Sequence, residues 1–174
     1  MITVKLGGIK YPLRFDMNIM AEVQKRIGNI SNMPTLFDKY ADTRWLLVML
    51  INEGIYYNNY MHSTCTQGVD DDWEITPQEL SEATESIVEA YSDGICGSNK
   101  QKQSEETTYY PDAEPDEINF SRLYFIAITL LGYSRREAGF MYLHELNDQY
   151  TEYMARKGMT LPDSADDIFG EGVM

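Results

Sequence analysis

No lysine or arginine occurs between Arg44 and Lys100, whereas ten acids fall in that interval, from Glu53 to Asp93. A second acid-only stretch, EETTYYPDAEPDE from Glu105 to Glu117, then precedes an apolar, tyrosine-rich block. Charged side chains resist burial and like charges repel, so these acids belong on solvated faces or in a tether. The layout splits the chain into two unequal parts. The expected fold is mainly α: a small N-terminal β-hairpin plus helical module over 1–93, an acidic flexible linker over 94–117, a short C-terminal three-helix module over 118–158, and a loose acidic tail over 159–174.

The net charge of −14 on 174 residues argues against a nucleic-acid partner, which needs clustered Lys and Arg to neutralise phosphates. It equally disfavours an anionic membrane surface. A hydrophobic fraction of 43% is enough for a packed core. The longest apolar runs, WLLVMLI and LYFIAITLL, fall short of the ~20 residues that a membrane span requires. The opening MITVKLGGIK lacks the order of a signal peptide, so the expected location is the cytoplasm. Cys65 and Cys96 are expected as reduced thiols, with no disulfide framework.

Along the chain, ITVKL, Gly7-Gly8 and IKYPLRF read as a hairpin over residues 2–14. Pro12 lacks an N–H, which makes its strand an edge strand or breaks it there. Asp16 is the expected N-cap of a helix that carries Met20, Val23 and Ile27 on one face and stops at Gly28. A short helix is expected around Thr35 to Tyr40, then a core helix from about Asp42 to Glu53, closed by Gly54. The stretch from Ile55 to Trp73 reads as an irregular excursion. Thr76-Pro77-Gln78-Glu79 is a capping box with Pro at the first helical position. The helix it opens places Leu80, Ala83, Ile87 and Tyr91 on one stripe. In the C-terminal block, Asn119 caps an apolar helix ending at Leu131-Gly132, and Ser134-Arg135-Arg136-Glu137 is a second capping box. Leu143, Leu146, Tyr150 and Met154 mark a last helix, stopped at Lys157-Gly158.

Catalytic signatures are lacking. His144-Glu145-Leu146-Asn147-Asp148 departs from HExxH by carrying Asp148 where the second His should stand. His62 and Cys65 form half of a zinc motif without its other half, and Asp70-Asp71-Asp72 lacks the ligand alternation of a calcium loop. No phosphate-binding loop and no GxSxG elbow is present. No catalytic residue, cofactor or metal is assigned.

The aromatic residues are the remaining signal, because Tyr and Trp are favoured anchors at protein interfaces. The candidate partner-binding residues are Tyr56, Tyr57, Tyr60 and Trp73 around the excursion, and Tyr124, Tyr133, Phe140, Tyr142 and Tyr150 in the C-terminal block. Tyr109-Tyr110 sit inside the acidic linker. A three-helix unit of about 40 residues lies near the lower limit of autonomous stability, so each of these aromatics competes between core and contact roles.

With these residues in view, the chain resembles the tail assembly chaperones of long-tailed bacteriophages and prophages. MITVKLGGIKYPLRFDMNIMAEVQKRIGNI is similar to the family's opening hairpin and first helix. WLLVMLINEGI and ITPQEL…IVEAY are similar to its continuation, and FSRLYFIAITLLGYSRREAGFMYLHELNDQYTEYM to its second module. The family's short helix often carries a Phe-Trp pair, where this chain has Ala138-Gly139-Phe140. A Thr-Pro start to the last helix is replaced by Tyr142-Leu143. The resemblance implies a non-enzymatic protein of the bacterial host cytoplasm, not expected in the mature virion. Its first module would coat the phage tape measure protein and keep it soluble, and its second would recruit the tail tube protein. Self-association is a further candidate interaction.

Two other classes remain open. One is a structural head–tail connector or tail-completion protein of the phage particle. The other is a small metal-dependent or thiol enzyme using His144, Glu145 and Asp148, or Cys65 with His62.

Overall fold

A computed structural model of the chain describes residues 1–70, 72–97 and 118–159. The architecture is mainly helical, with one N-terminal antiparallel hairpin. Strands β1 (Ile2–Leu6) and β2 (Ile9–Leu13) pair with Val4 opposite Tyr11 and Leu6 opposite Ile9. Gly7 and Gly8 both take positive φ in the turn, as a two-residue hairpin demands. Pro12 stays in register opposite Thr3, which a two-stranded sheet tolerates because each strand has a free edge.

Helix α1 (Met17–Ile27) starts where the Asp16 carboxylate accepts the N–H groups of Asn18 and Ile19, and stops at Gly28. The short helix expected around Thr35 to Tyr40 is instead a 3-10 segment, Ile30–Phe37, capped by Asn29. It turns Ile30, Met33 and Leu36 inward, the threefold spacing that a 3-10 turn stacks on one side.

Helix α2 (Tyr40–His62) corrects two expectations. It does not end at Gly54, and residues 55–62 are helical rather than irregular. Gly54 serves a close crossing instead: a Cβ there would lie 2.6 Å from the Pro12 carbonyl oxygen. The helix ends at Ser63, whose φ of 53° is left-handed. Its asparagines then tie down the return of the chain. Asn52 exchanges hydrogen bonds with Val69 at 2.8 and 3.0 Å, and Asn59 does the same with Thr66 at 2.7 and 2.9 Å.

Helix α3 (Pro77–Cys96) opens with the expected capping box and buries Leu80, Ala83, Ile87 and Ala90. It continues past residue 93, the expected end of the N-terminal module, and Gly94 lets it press on the Phe15 carbonyl. The rest of the expected linker, 98–117, with Tyr109-Tyr110, lies outside the described residues, as does the expected tail from 160 onward.

In the C-terminal block, α4 (Phe120–Phe125) continues into a π-helical turn, Ile126–Leu130. Helices α5 (Arg135–Gly139) and α6 (Leu143–Arg156) complete three helices. One hydrophobic cluster joins the hairpin, α1, α2 and α3 around Phe15, Leu46, Leu50 and Ile87. A second cluster contains Leu123, Ile126, Ala127, Ala138, Met141 and Leu146, and it also contains Met17 from α1. The C-terminal block therefore completes its small core with an N-terminal side chain. Ile118, Phe120 and Leu143 pack against both clusters. No helix among the described residues is long and apolar enough to cross a membrane.

Candidate functional site

The segment from Leu13 to Asn18 links the hairpin to α1, and the C-terminal block seats on it. The Met17 N–H donates to the Met141 carbonyl at 3.1 Å, and Arg14 donates through Nη2 to the Phe140 carbonyl. Gly139 faces Asn18 so closely that a Cβ would lie 2.4 Å from its Oδ1. Asn18 in turn donates to Glu53 Oε1 at 2.8 Å and accepts from the Tyr124 hydroxyl at 2.8 Å. A polar chain thus runs from α2 through α1 to α4.

Arg14 and Asp16 are both buried, and Arg14 Nε donates to Asp16 Oδ2 at 3.0 Å. The guanidinium also lies over the rings of Tyr57, at 3.7 Å, and Tyr142, at 4.3 Å. An arginine suits this place because its planar, weakly hydrated head stacks on aromatics while keeping its donors in plane. Burial pushes the Asp16 carboxyl well above its usual range, and the nearby Glu53 charge adds to this; Arg14 and the Ile19 N–H act against it. Desolvation likewise pushes the Tyr142 phenol up to about 12, against the pull of Arg14.

Next to this pair, an open cleft of about 420 Å³ lies between α2, α3 and the C-terminal helices. Tyr57, Tyr60, Tyr133 and Tyr142 line it, with Met61 at one side and Asp93, Glu137 and Glu145 among its polar groups. Phe140 is its buried floor, in contact with the rings of Tyr56, Tyr57 and Tyr60 at centroid distances of 5.4, 5.3 and 5.4 Å. Tyr56 and Tyr60 stay 45% and 38% exposed, and Arg136 lies over both rings. Glu137 and Glu145 take their positions from the helix starts: Glu137 accepts from the Ser134 N–H at 2.9 Å, and Glu145 from the Tyr142 N–H at 3.1 Å.

Of the nine aromatics singled out from sequence, the structure gathers Tyr57, Tyr60, Tyr133, Phe140 and Tyr142 at this cleft, with Tyr56 at its edge. Trp73 is elsewhere, half-buried against Tyr11 at 5.2 Å, with its carbonyl accepting from Arg44. Tyr124 and Tyr150 pack on the C-terminal cluster, and Tyr124 spends its hydroxyl on Asn18. Sequence reasoning passed over Arg14, Met61, Asp93 and Glu137 as cleft residues. The one available signal was Arg14 two residues before an acidic N-cap, a spacing that allows the pair to close over the helix start.

His144, Glu145 and Asp148 share α6, but Glu145 folds back to the helix start. The His144 ring stacks on Tyr142 at 5.6 Å and abuts Gly97. His62 and Cys65 are exposed near the end of α2. Among the described residues, no group of three or more His, Cys, Asp or Glu is placed to hold a metal ion. What the arrangement can do chemically is hold apolar and charged side chains of a partner against aromatic walls.

Comparison with family models, with curated proteins and with solved structures gave no match for this chain.

Proposed function

We propose that the protein is a non-enzymatic tail assembly chaperone of a long-tailed bacteriophage or prophage. It keeps the tape measure protein soluble and recruits tail tube subunits, which displace it as they polymerise. It acts in the host cytoplasm and leaves before the virion is complete. The sequence resemblance supplies the phage assignment, and one structural observation supports a protein-binding role: an open, aromatic-walled cleft bordered by the exposed rings of Tyr56 and Tyr60. Tyrosines half in solvent offer a large contact area at little entropic loss, which suits a client that must be held and then released. An acidic surface on the bound chaperone disperses an apolar client by like-charge repulsion.

Particle composition tests the reading against a connector or tail-completion protein. A chaperone is expected to be missing from purified mature particles and present in lysates of assembling cells. A fixed copy number in mature particles would overturn the proposal in favour of the structural component.

A further inference from the structure

We infer that docking of the C-terminal block is the switch of the cleft: the block folds onto the seat over residues 13–18, leaves it as a unit, and takes half of the cleft with it. This rests on the proposed function in one respect, that the cleft is the partner site, and it names how that site is assembled and taken apart.

Three observations carry it. First, the cleft is composite. Tyr57, Tyr60 and Asp93 belong to α2 and α3, whereas Tyr133, Phe140 and Tyr142 belong to the block, so neither part forms the walls by itself. Second, the two cores depend on each other unequally. Every buried member of the first cluster lies between Val4 and Ala90, so that core stays whole when the block leaves. The block's cluster has six buried residues of its own, two of them alanines, and Met17 completes it. A unit with so small a core does not stay folded apart from its support. Third, the fastening is reversible. Around Met17 and Phe140 the seat is held by hydrogen bonds: Arg14 to the Phe140 carbonyl, the Met17 N–H to the Met141 carbonyl at 3.1 Å, and the Tyr124 hydroxyl to Asn18 at 2.8 Å. Gln24 adds two more, to both main-chain groups of Ile118, at 2.9 and 3.1 Å. Water replaces such bonds at little net cost, and Arg14 keeps Asp16 as a partner when the block is away. An occupant touching both halves of the cleft therefore holds the block down. By linkage, a partner that draws off the block's apolar side chains releases the occupant.

Thiol labelling of the full chain tests this in a Cys65→Ser/Cys96→Ser background, which removes the two exposed native thiols. Three fully buried positions receive a thiol in turn: Ala127→Cys in the block, Met17→Cys on α1 at the seat, and Ala83→Cys in the first cluster. Labelling by a disulfide reagent in buffer and at low urea is expected to be about tenfold or more faster at positions 127 and 17 than at 83. The rates at 127 and 17 should match each other and depend less steeply on urea than the rate at 83. Gln24→Ala removes the two bonds to Ile118 without altering a core residue. It is expected to speed labelling at 127 and 17 by about threefold or more and to leave 83 unchanged. Equal rates and urea dependence at all three positions, labelling at 127 with 17 still protected, or an equal effect of Gln24→Ala at all three would overturn the inference. Capture of a tape measure protein enters none of these readouts, so the two proposals fail separately.

Discussion

Arg14 donates to the backbone carbonyl of Phe140, fastening the end of the hairpin to the end of α5 across more than 120 positions of sequence. The same guanidinium pairs with Asp16, which caps α1. One side chain therefore ties together the hairpin, the first helix and the C-terminal block.

Replacing Arg14 by Ala removes the cation that opposes the burial of the Asp16 carboxyl and the donor to the Phe140 carbonyl. The expected loss is about 3–5 kcal/mol in urea unfolding, the usual penalty for breaking one half of a buried pair. A loss below about 1 kcal/mol would show that the guanidinium is dispensable at the junction.

Asp16 makes stability depend on pH in a defined direction. Its folded pKa is raised, mainly by burial, so the folded state holds the proton more tightly than the unfolded chain. That contribution is complete below the ordinary carboxylate range and is lost as pH climbs through the raised folded value. Unfolding of the wild type and of Asp16→Asn should therefore diverge from about pH 4 upward, with the difference moving in favour of the Asn variant. A pH-independent difference would contradict the assignment. Glu79 and Glu137 act in the opposite sense, since their cap hydrogen bonds lower their pKa values and are lost as pH falls.

Two glycines at helix crossings separate backbone from side-chain obstruction. A Cβ on Gly94 would meet the Phe15 carbonyl oxygen at 2.1 Å, whereas one on Gly139 would meet the Asn18 amide. Ala normally stabilises a helix interior relative to Gly. Here Gly94→Ala should destabilise by about 1–3 kcal/mol because backbone cannot step aside. Gly139→Ala should be milder in thermal unfolding, since the Asn18 side chain can turn away and gives up only its bonds to Glu53 and Tyr124.

Phe140→Ala empties the cup formed by Tyr56, Tyr57 and Tyr60. A loss of about 3–5 kcal/mol is expected, as for other buried phenylalanines. Hydrogen exchange should show the C-terminal helices opening before α2 and α3, because their smaller cluster depends on this seat. Simultaneous opening of all helices would contradict that order.

Local signals carried most of the fold. Asp16, Thr76, Asn119 and Ser134 each cap the helix they were expected to open, because a side chain and the N–H groups it satisfies lie within three residues of each other. Gly54 misled for a non-local reason: its lack of a side chain serves Pro12, about 40 positions earlier, and not a helix end. Asn59, within the supposed excursion, read as a loop residue because its partner, Thr66, is reached only after the helix has turned back. The aromatic half of the cleft was visible in composition. Its acidic half was not: Glu137 stood out only as a cap residue and Glu145 only in the HExxH-like run, until α3, α5 and α6 brought both to the cleft that Asp93 lines.

The most direct test of the tail-chaperone proposal is co-expression of the tagged full chain with the genes flanking its own, followed by affinity purification and mass spectrometry. Capture of a very long, helix-rich protein together with a tube-sized β protein is the expected result. Recovery of the chain by itself, with both flanking products expressed, would contradict it.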